Sequence, residues 1–331
     1  MKVFRGYQHP ALASQCALTI GNFDGVHRGH QAMLALLKNE AQHRGLPACV
    51  MTFEPHPREY FSPATAPARI STLRDKLTEL ARCGVDQTIV LPFNAKLAAQ
   101  TPQAFISDVL VDGLHASYVL VGDDFRFGAK RAGDYAMLDA AGDQQGFDVA
   151  RMNSYEVHGQ RVSSSAVREA LAQGRMDDAA RLLGRPYSIS GHVVHGRKLG
   201  RELGFRTLNL RFSHWKSAAA GIFAVHVHGL TDHPLPGVAN LGVRPSLDAR
   251  DINAGRVLLE TYCLAWPASL GLEEAYGKII RVELLHKLHD ELTYDGLDAL
   301  QTGIARDCDD ARAFFASMHT ETSRQTTRDR I

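Results

Sequence analysis

The sequence predicts an α/β domain of Rossmann-like type followed by an antiparallel β-barrel with a C-terminal helix. Three observations predict this. Apolar runs and helical patterns alternate strictly through the first half of the chain. Short β patterns separated by glycine and proline fill the second half, and one helical stripe closes it. Strict alternation implies a parallel sheet with crossover helices, whereas closely spaced strands imply antiparallel pairing and turns.

The elements follow in order. CALTIGNF reads as a strand, and HQAMLALLKNEAQHRG as an amphipathic helix ending at Gly45. PACVMTF is a second strand, followed by a Pro-rich loop from Glu54 to Pro67. Then come the helix LRDKLTELARCG, the strand DQTIVLPF and the helix TPQAFISDVLVDGL, capped at Thr101. ASYVLVGDDF and AMLDAAGDQQG add one more strand and helix, and SSSAVREALAQG and MDDAARLLG two short helices. The β-rich half holds SISGHVVHG, GIFAVHVHGL, GVANLG, RVLLETYCLAW and KIIRVELLHKL. In the last helix Leu297, Leu300, Ile304, Ala311 and Phe315 share a face. With a break near Pro186, the expected domains are residues 1–185 and 186–318, with a polar, frayed tail at 319–331.

Composition narrows the function. The chain has 331 residues, enough for about two domains. Its 37 Lys and Arg against 36 Asp and Glu argue against a general nucleic-acid binder. Five scattered cysteines contain no CxxC pair, so reduced thiols are expected rather than zinc or disulfides. No stretch approaches the roughly 18 apolar residues of a membrane span, and the start has no signal-peptide core. A cytoplasmic enzyme without nucleic-acid or membrane partners is the expectation. Oligomeric state stays open, transient self-association included.

The chemistry-bearing segment is LTIGNFDGVHRGHQAML, a strand running into a glycine-rich turn and then a helix. Gly21, Gly25 and Gly29 let backbone pass close to a ligand. His27 and His30 flank the helix start, where free N–H groups and the helix dipole favour an anion. Two imidazoles there suit phosphate oxygens, although a His-x-x-His pair also fits metal ligation or plain surface. It is neither a GxxxxGK[ST] loop nor GxGxxG.

GNFDGVHRGH resembles the HxGH signature of nucleotidyltransferases, in the longer form of bacterial FAD synthetases. This implies nucleotide contacts at Gly21, Asn22, Phe23, Gly25 and Gly29 and catalytic roles for His27 and His30. VGDDFRFG is similar to that family's motif at the nucleotide and flavin site, implying flavin contacts for Asp124 and Phe125. SSSAVREAL looks like its SSTxIR motif, placing Ser164, Ser165 and a catalytic Arg168 on the triphosphate; by itself it also reads as an N-capped helix. Ser165 stands for the family's Thr, and Ala166 for a frequent Arg. FEPHPREYF resembles the flavin-side loop and implies His56 and Phe61, though a PHP turn also explains it.

In GHVVHGRKLGRELGFRTLNL, Thr207 and Asn209 lie two apart on an extended segment. Their oxygens face one way and could share one Mg²⁺, or simply form a polar turn and strand edge. The stretch resembles the riboflavin kinase signature GxVxxGxxxGRxLGFPTAN, and GVANLGVRPS, LLETYCL and the closing strand and helix match that family in order. The resemblance implies nucleotide contacts at Gly196 and Gly200, Mg-ATP at Thr207 and Asn209, and Glu260 as general base for the riboflavin 5′-hydroxyl. Glu260 also reads as an outward-facing strand residue. Arg206 replaces the signature's Pro, Leu208 its Ala, and His289 a later Arg, which bears on kinase efficiency.

Together the resemblances span roughly residues 15 to 315. They imply a nucleotidyltransferase domain and a riboflavin-kinase-like barrel that phosphorylate riboflavin to FMN and adenylylate FMN to FAD, with ATP as co-substrate and Mg²⁺. Two other readings stay open: a single-activity adenylyltransferase, and a flavin-binding regulator or carrier.

Overall fold

The computed structural model describes residues 1–157, 159–195, 204–211, 216–243 and 257–328. They form two compact units, Met1–Pro67 with Leu73–Ser164, and Ala68–Thr72 with Ser165–Ile331.

The first unit is a six-stranded parallel sheet in the order β1-β4-β3-β2-β5-β6. The strands are β1 Lys2–Arg5, β2 Cys16–Ile20, β3 Ala48–Glu54, β4 Gln87–Pro92, β5 Ala116–Gly122 and β6 Asp148–Met152. β2 is buried along its whole length, as a central parallel strand covered on both faces must be. The crossovers include α1 Arg28–Arg44, α2 Pro57–Phe61, α3 Leu73–Arg82, α4 Ala95–Ala99, α5 Pro102–Ala104 with π-helical Phe105–Val111, and α6 Tyr135–Gln145. Gly45 ends α1 in the left-handed region, and the Thr101 side chain caps α5. Leu18, Met51, Ile89, Val119 and Leu138 are fully buried in one core cluster. Each such side chain stabilises the fold by about 1.5–3 kcal/mol.

This order positions a site. From β2 the chain steps to β3 on one side; from β5 it steps to β6 on the other. The carboxyl ends of β2 and β5 therefore border a switch point, where open parallel sheets bind ligands. GNFDGVH follows β2 and DDFRFG follows β5.

The second unit is a closed six-stranded antiparallel barrel, β10-β13-β12-β11-β14-β9. Its strands are β9 Tyr187–Val194, β10 Leu208–Arg211, β11 Gly221–His228, β12 Leu235–Val243, β13 Val257–Cys263 and β14 Ile279–His289. A two-residue ladder, β7 Glu156–Val157 with β8 Gln160–Arg161, belongs to the first unit. Helices α7 Ser164–Ala172 and α8 Met176–Leu183 precede the barrel, and α9 Leu297–Arg328 follows it. The contact division falls before Ser165, upstream of the expected break near Pro186; α8 packs on β9 and β14.

Along the barrel strands alternate residues point inward. The outward Ile222, Ala224 and Val238 are covered by Ala311 and Phe315 of α9. At the start of this helix Leu297 is 52% exposed, and full burial begins only with Asp307 and Cys308. The helix runs to Arg328.

His289 ties β14 to α9. Its Nε2 lies 2.7 Å from Oδ1 of the buried Asp307, and its Nδ1 lies 2.7 Å from the Asp290 carbonyl. Burial alone would lower the imidazole's pKa, but the Asp307 hydrogen bond, the Asp290 carbonyl and the nearby carboxylates outweigh it, so the value rises above 6.5. A raised histidine stabilises fully below its unfolded value and loses that contribution as pH climbs through the folded one. Thermal stability should therefore decline as pH rises from 6.5 through the raised value. His289→Ala should flatten that dependence in a melting series. It should also cost about 1–3 kcal/mol by stranding Asp307.

Two candidate active sites

The loop after β2 is held in an uncommon shape. Gly25 has φ +84°, and its non-glycine neighbours Phe23 and Val26 have φ +48° and +41°. Such residues cost on the order of 1–3 kcal/mol each and persist only where surroundings over-determine them. Here Phe23 and Val26 are 1% and 0% exposed, packed with Leu34, Val50, Leu80 and Val85. The loop carbonyls are tied as well. Thr52 Oγ1 donates to Asn22 O (3.2 Å), Ser164 Oγ to Asp24 O (3.0 Å), and Gln31 Nε2 to Val26 O (2.8 Å). Phe23, expected at the nucleotide, thus turns its side chain into the core and can serve a ligand only through its backbone.

His27 is the N-cap of α1. Its Nδ1 accepts from the His30 backbone N–H at 3.3 Å, which leaves Nε2 to carry the proton. The two imidazoles stack with centroids 3.6 Å apart. A Cβ at Gly29 would lie 3.2 Å from the His27 ring and 3.4 Å from the Val162 carbonyl, so glycine there leaves room for the stack. Nδ1 of His30 is buried without a hydrogen-bond partner. Burial, then the fields of His27 and Lys76, hold its pKa well below 6.5. Lys76 on α3 is 4% exposed, and its Nζ donates to Thr52 Oγ1 at 3.4 Å. Sequence reading passed over this buried cation, because a lysine in LRDKLTEL looks like a solvated helix face.

The expected flavin-side residues stand on other elements of the same unit. His56 caps α2 through Nδ1, which accepts from Arg58 N, and Glu59 completes a capping box. Phe61 is 63% exposed and packs edge-on against Tyr60 and Phe93, at 5.3 and 5.6 Å between centroids. Phe93 was not anticipated, although it stands just past the carboxyl end of β4, where parallel sheets present their sites. The exposed Asp124 lies with Asp123 around Arg161, at 3.7 and 3.6 Å. Phe125 stacks on Phe127 and packs against the main core, so its ring is only partly available. Gly21 sits over the Phe23 ring. From Ser164 the helix α7 runs on through Ser165 to Arg168, whose Nε donates to the Ala68 carbonyl at 2.6 Å.

The second site lies on the barrel's outer face. Asn209 is 4% exposed, its Nδ2 donates to the Thr207 carbonyl at 3.2 Å, and its Oδ1 has no partner. Across the ladders Asn209 faces Glu260, which faces Asn240. Directly paired residues point to one side of a sheet, so a carboxylate stands between two amides. Asn240 Oδ1 is also buried and unpartnered. Burial, then the field of Glu291, raises the Glu260 pKa above 4.5. Asn240 escaped the sequence reading because one amide in GVANLG resembles a turn residue. Gly196 and Gly200 lie outside the described residues.

The fold and these two sites define a two-module protein, in which a sheet with a histidine-bearing helix start precedes a barrel bearing a half-buried carboxylate. Comparison with known proteins sharpens this. The FAD synthetase family model matches residues 9–166 and the riboflavin kinase model residues 183–315. A bifunctional riboflavin kinase/FMN adenylyltransferase of Escherichia coli (strain K12) is 47% identical, over 95% of this chain and 98% of its own length. The protein of that description from Haemophilus influenzae is 42% identical over 96% and 100%. A crystal structure described as a macrolide-efflux protein from Streptococcus pneumoniae matches with TM-score 0.73 at 24% identity, covering 94% of this chain and 99% of that one, and shows the fold alone. The chain belongs to the bifunctional riboflavin kinase/FMN adenylyltransferase family. Among the described residues no helix is long and apolar enough to cross a membrane.

Proposed function

We propose that this chain phosphorylates riboflavin to FMN and adenylylates FMN to FAD, one site per module, with residues 1–185 and 186–318 as the two domains. One observation carries the reading: the chain matches bifunctional relatives almost end to end, and each module presents a buried, unpartnered polar atom at its site, Nδ1 of His30 and Oδ1 of Asn209.

In the kinase half, Glu260 accepts the proton of the 5′-hydroxyl as that oxygen attacks the γ-phosphorus of ATP and ADP departs. The raised pKa of Glu260 suits a base. Among the described residues no three of His, Cys, Asp or Glu converge on a metal. The donor set is instead the Asn209 amide oxygen with Thr207, hard oxygen ligands that fit Mg²⁺. Bound there, Mg²⁺ would neutralise phosphate charge. Thr207 and Asn209 would hold it on one side of Glu260.

In the adenylyltransferase half, an FMN phosphate oxygen attacks the α-phosphorus of ATP and pyrophosphate departs. The nucleophile is already anionic, so no strong base is needed. His27 and His30 donate to phosphate oxygens as charge builds. Ser164, Ser165 and Arg168 take the triphosphate, and Gly21, Asn22, Phe23, Gly25 and Gly29 contact the nucleotide through their backbone. Phe61 and Asp124 line the flavin side.

Incubating the purified chain with riboflavin, ATP and Mg²⁺ should give FMN, then FAD and pyrophosphate. No FMN would sink the kinase half; FMN plus ATP yielding no FAD would sink the other.

A further inference from the structure

The row of side chains that carries Glu260 can be followed around the barrel through the strand registers. It reads Val194, Asn209, Glu260, Asn240, Ile222, His289. The polar run is three residues long, closed by Val194 on one side and by Ile222, beneath α9, on the other. Asn209 has Thr207 beside it and a cation to serve. Asn240 has neither a partner for its Oδ1 nor a cation to serve.

Its geometry asks for a use. Oδ1 of Asn240 is shut away from solvent with no donor, an unfavourable state that a ligand's donor would relieve. Asn209 and Asn240 occupy β10 and β12, with β13 between them. Adjacent strands lie about 4.8 Å apart, so the two backbones are about 9.6 Å apart. Oxygens sharing one Mg²⁺ stand at about 2.1 Å from it, hence within about 4.2 Å of each other. An ion placed by Thr207 and Asn209 lies on the β10 side of Glu260, and Asn240 stands across that carboxylate, on the acceptor side of the base. The reacting hydroxyl cannot satisfy Asn240 either, since its single hydrogen goes to Glu260. Directly paired side chains start about 4.5–5.5 Å apart, which suits two hydroxyls on neighbouring carbons.

We propose that Asn240 is a specificity-determining residue that grips the hydroxyl next to the reacting one, so that the kinase site reads a terminal vicinal diol on the flavin side chain. The inference rests on the kinase reading above. It assigns the substrate class as flavins with a polyol chain, and it predicts discrimination against a flavin that keeps the terminal alcohol but lacks its neighbour.

The test compares riboflavin with 4′-deoxyriboflavin in the full-length wild type, Asn240→Ala and Asn240→Ser. KM is measured for each flavin and for Mg-ATP, with flavin binding followed by fluorescence quenching without nucleotide. The wild type should favour riboflavin by roughly tenfold, the scale of one hydrogen bond. Asn240→Ala should lose that preference through a roughly tenfold weaker grip on riboflavin, while KM for Mg-ATP stays put. Asn240→Ser, which keeps an acceptor, should recover part of it, and melting curves identify any variant that fails to fold. A wild-type preference retained in the Ala variant overturns the proposal, as does a loss confined to Mg-ATP. Wild-type protein that makes no FMN at all sinks the kinase reading instead.

Discussion

Glu260→Gln should reduce FMN formation by about 10²–10⁴-fold, the usual contribution of a positioned base, and at the same time raise the melting temperature. Glutamine keeps the shape of the side chain but cannot accept the proton. The gain in stability follows from the same burial that suits the base. An acid whose pKa is raised on folding resists ionisation, so above pH 4.5, the ordinary value, its charge works against the folded state. Removing that charge stabilises the fold, and the variant should lose the part of the pH dependence that belongs to this group. The wild-type rate should fall as pH drops through the raised value, which lies above 4.5. Burial is the larger cause and Glu291 the second. Glu291→Gln should therefore shift that acid limb to lower pH without removing it. A Glu260→Gln enzyme with wild-type FMN formation would rule out the base role, and a lower melting temperature would contradict the burden of the buried carboxylate.

His30→Gln should lower FAD formation from FMN by about 10²–10³-fold, as loss of one oriented donor to developing charge does, and leave FMN formation intact. The imidazole is already in its place. Nδ1 is buried and unpartnered, and the ring is stacked on His27 and tilted against Phe23. Because burial and two neighbouring groups, His27 and Lys76, hold its pKa well below 6.5, it should stay neutral from pH 6.5 upward in the free protein. Nitrogen-resolved NMR of the ring would check this: a His30 signal titrating near pH 6.5 would contradict the buried geometry. Loss of both activities in a folded His30→Gln protein would contradict separate sites.

Much of this was legible in the sequence, and the reasons are particular. The central strands and long helices announce themselves because burial forces apolar runs, and because Gly45 and Thr101 mark helix ends with residues whose conformations or side chains do that work. The edge strands β1 and β6 did not, since KVFR and DVARM bury too little to show a pattern. GNFDGVHRGH located the helix start, but nothing in it separates Phe23, whose ring is core, from residues that face a ligand. Glu260 was legible through the resemblance of LLETYCL, and by itself as an outward-facing strand residue. Asn240 was not, because its meaning comes from pairing with Glu260 across a ladder, and registers between strands separated by long connections are not written locally. His289 looked like a weakened binding position; its ring is spent on Asp307 and Asp290.

The strained loop after β2 has a consequence for the thermodynamics of nucleotide capture. Its shape is imposed from below, by Phe23 and Val26 wedged into the packing of α1, β3 and α3, and needs no ligand to form. A loop that orders on binding loses conformational freedom at that moment; this one lost it when the domain folded. On the proposed reading, a substitution at Leu80 or Val85 beneath the loop should therefore weaken nucleotide affinity without touching the nucleotide.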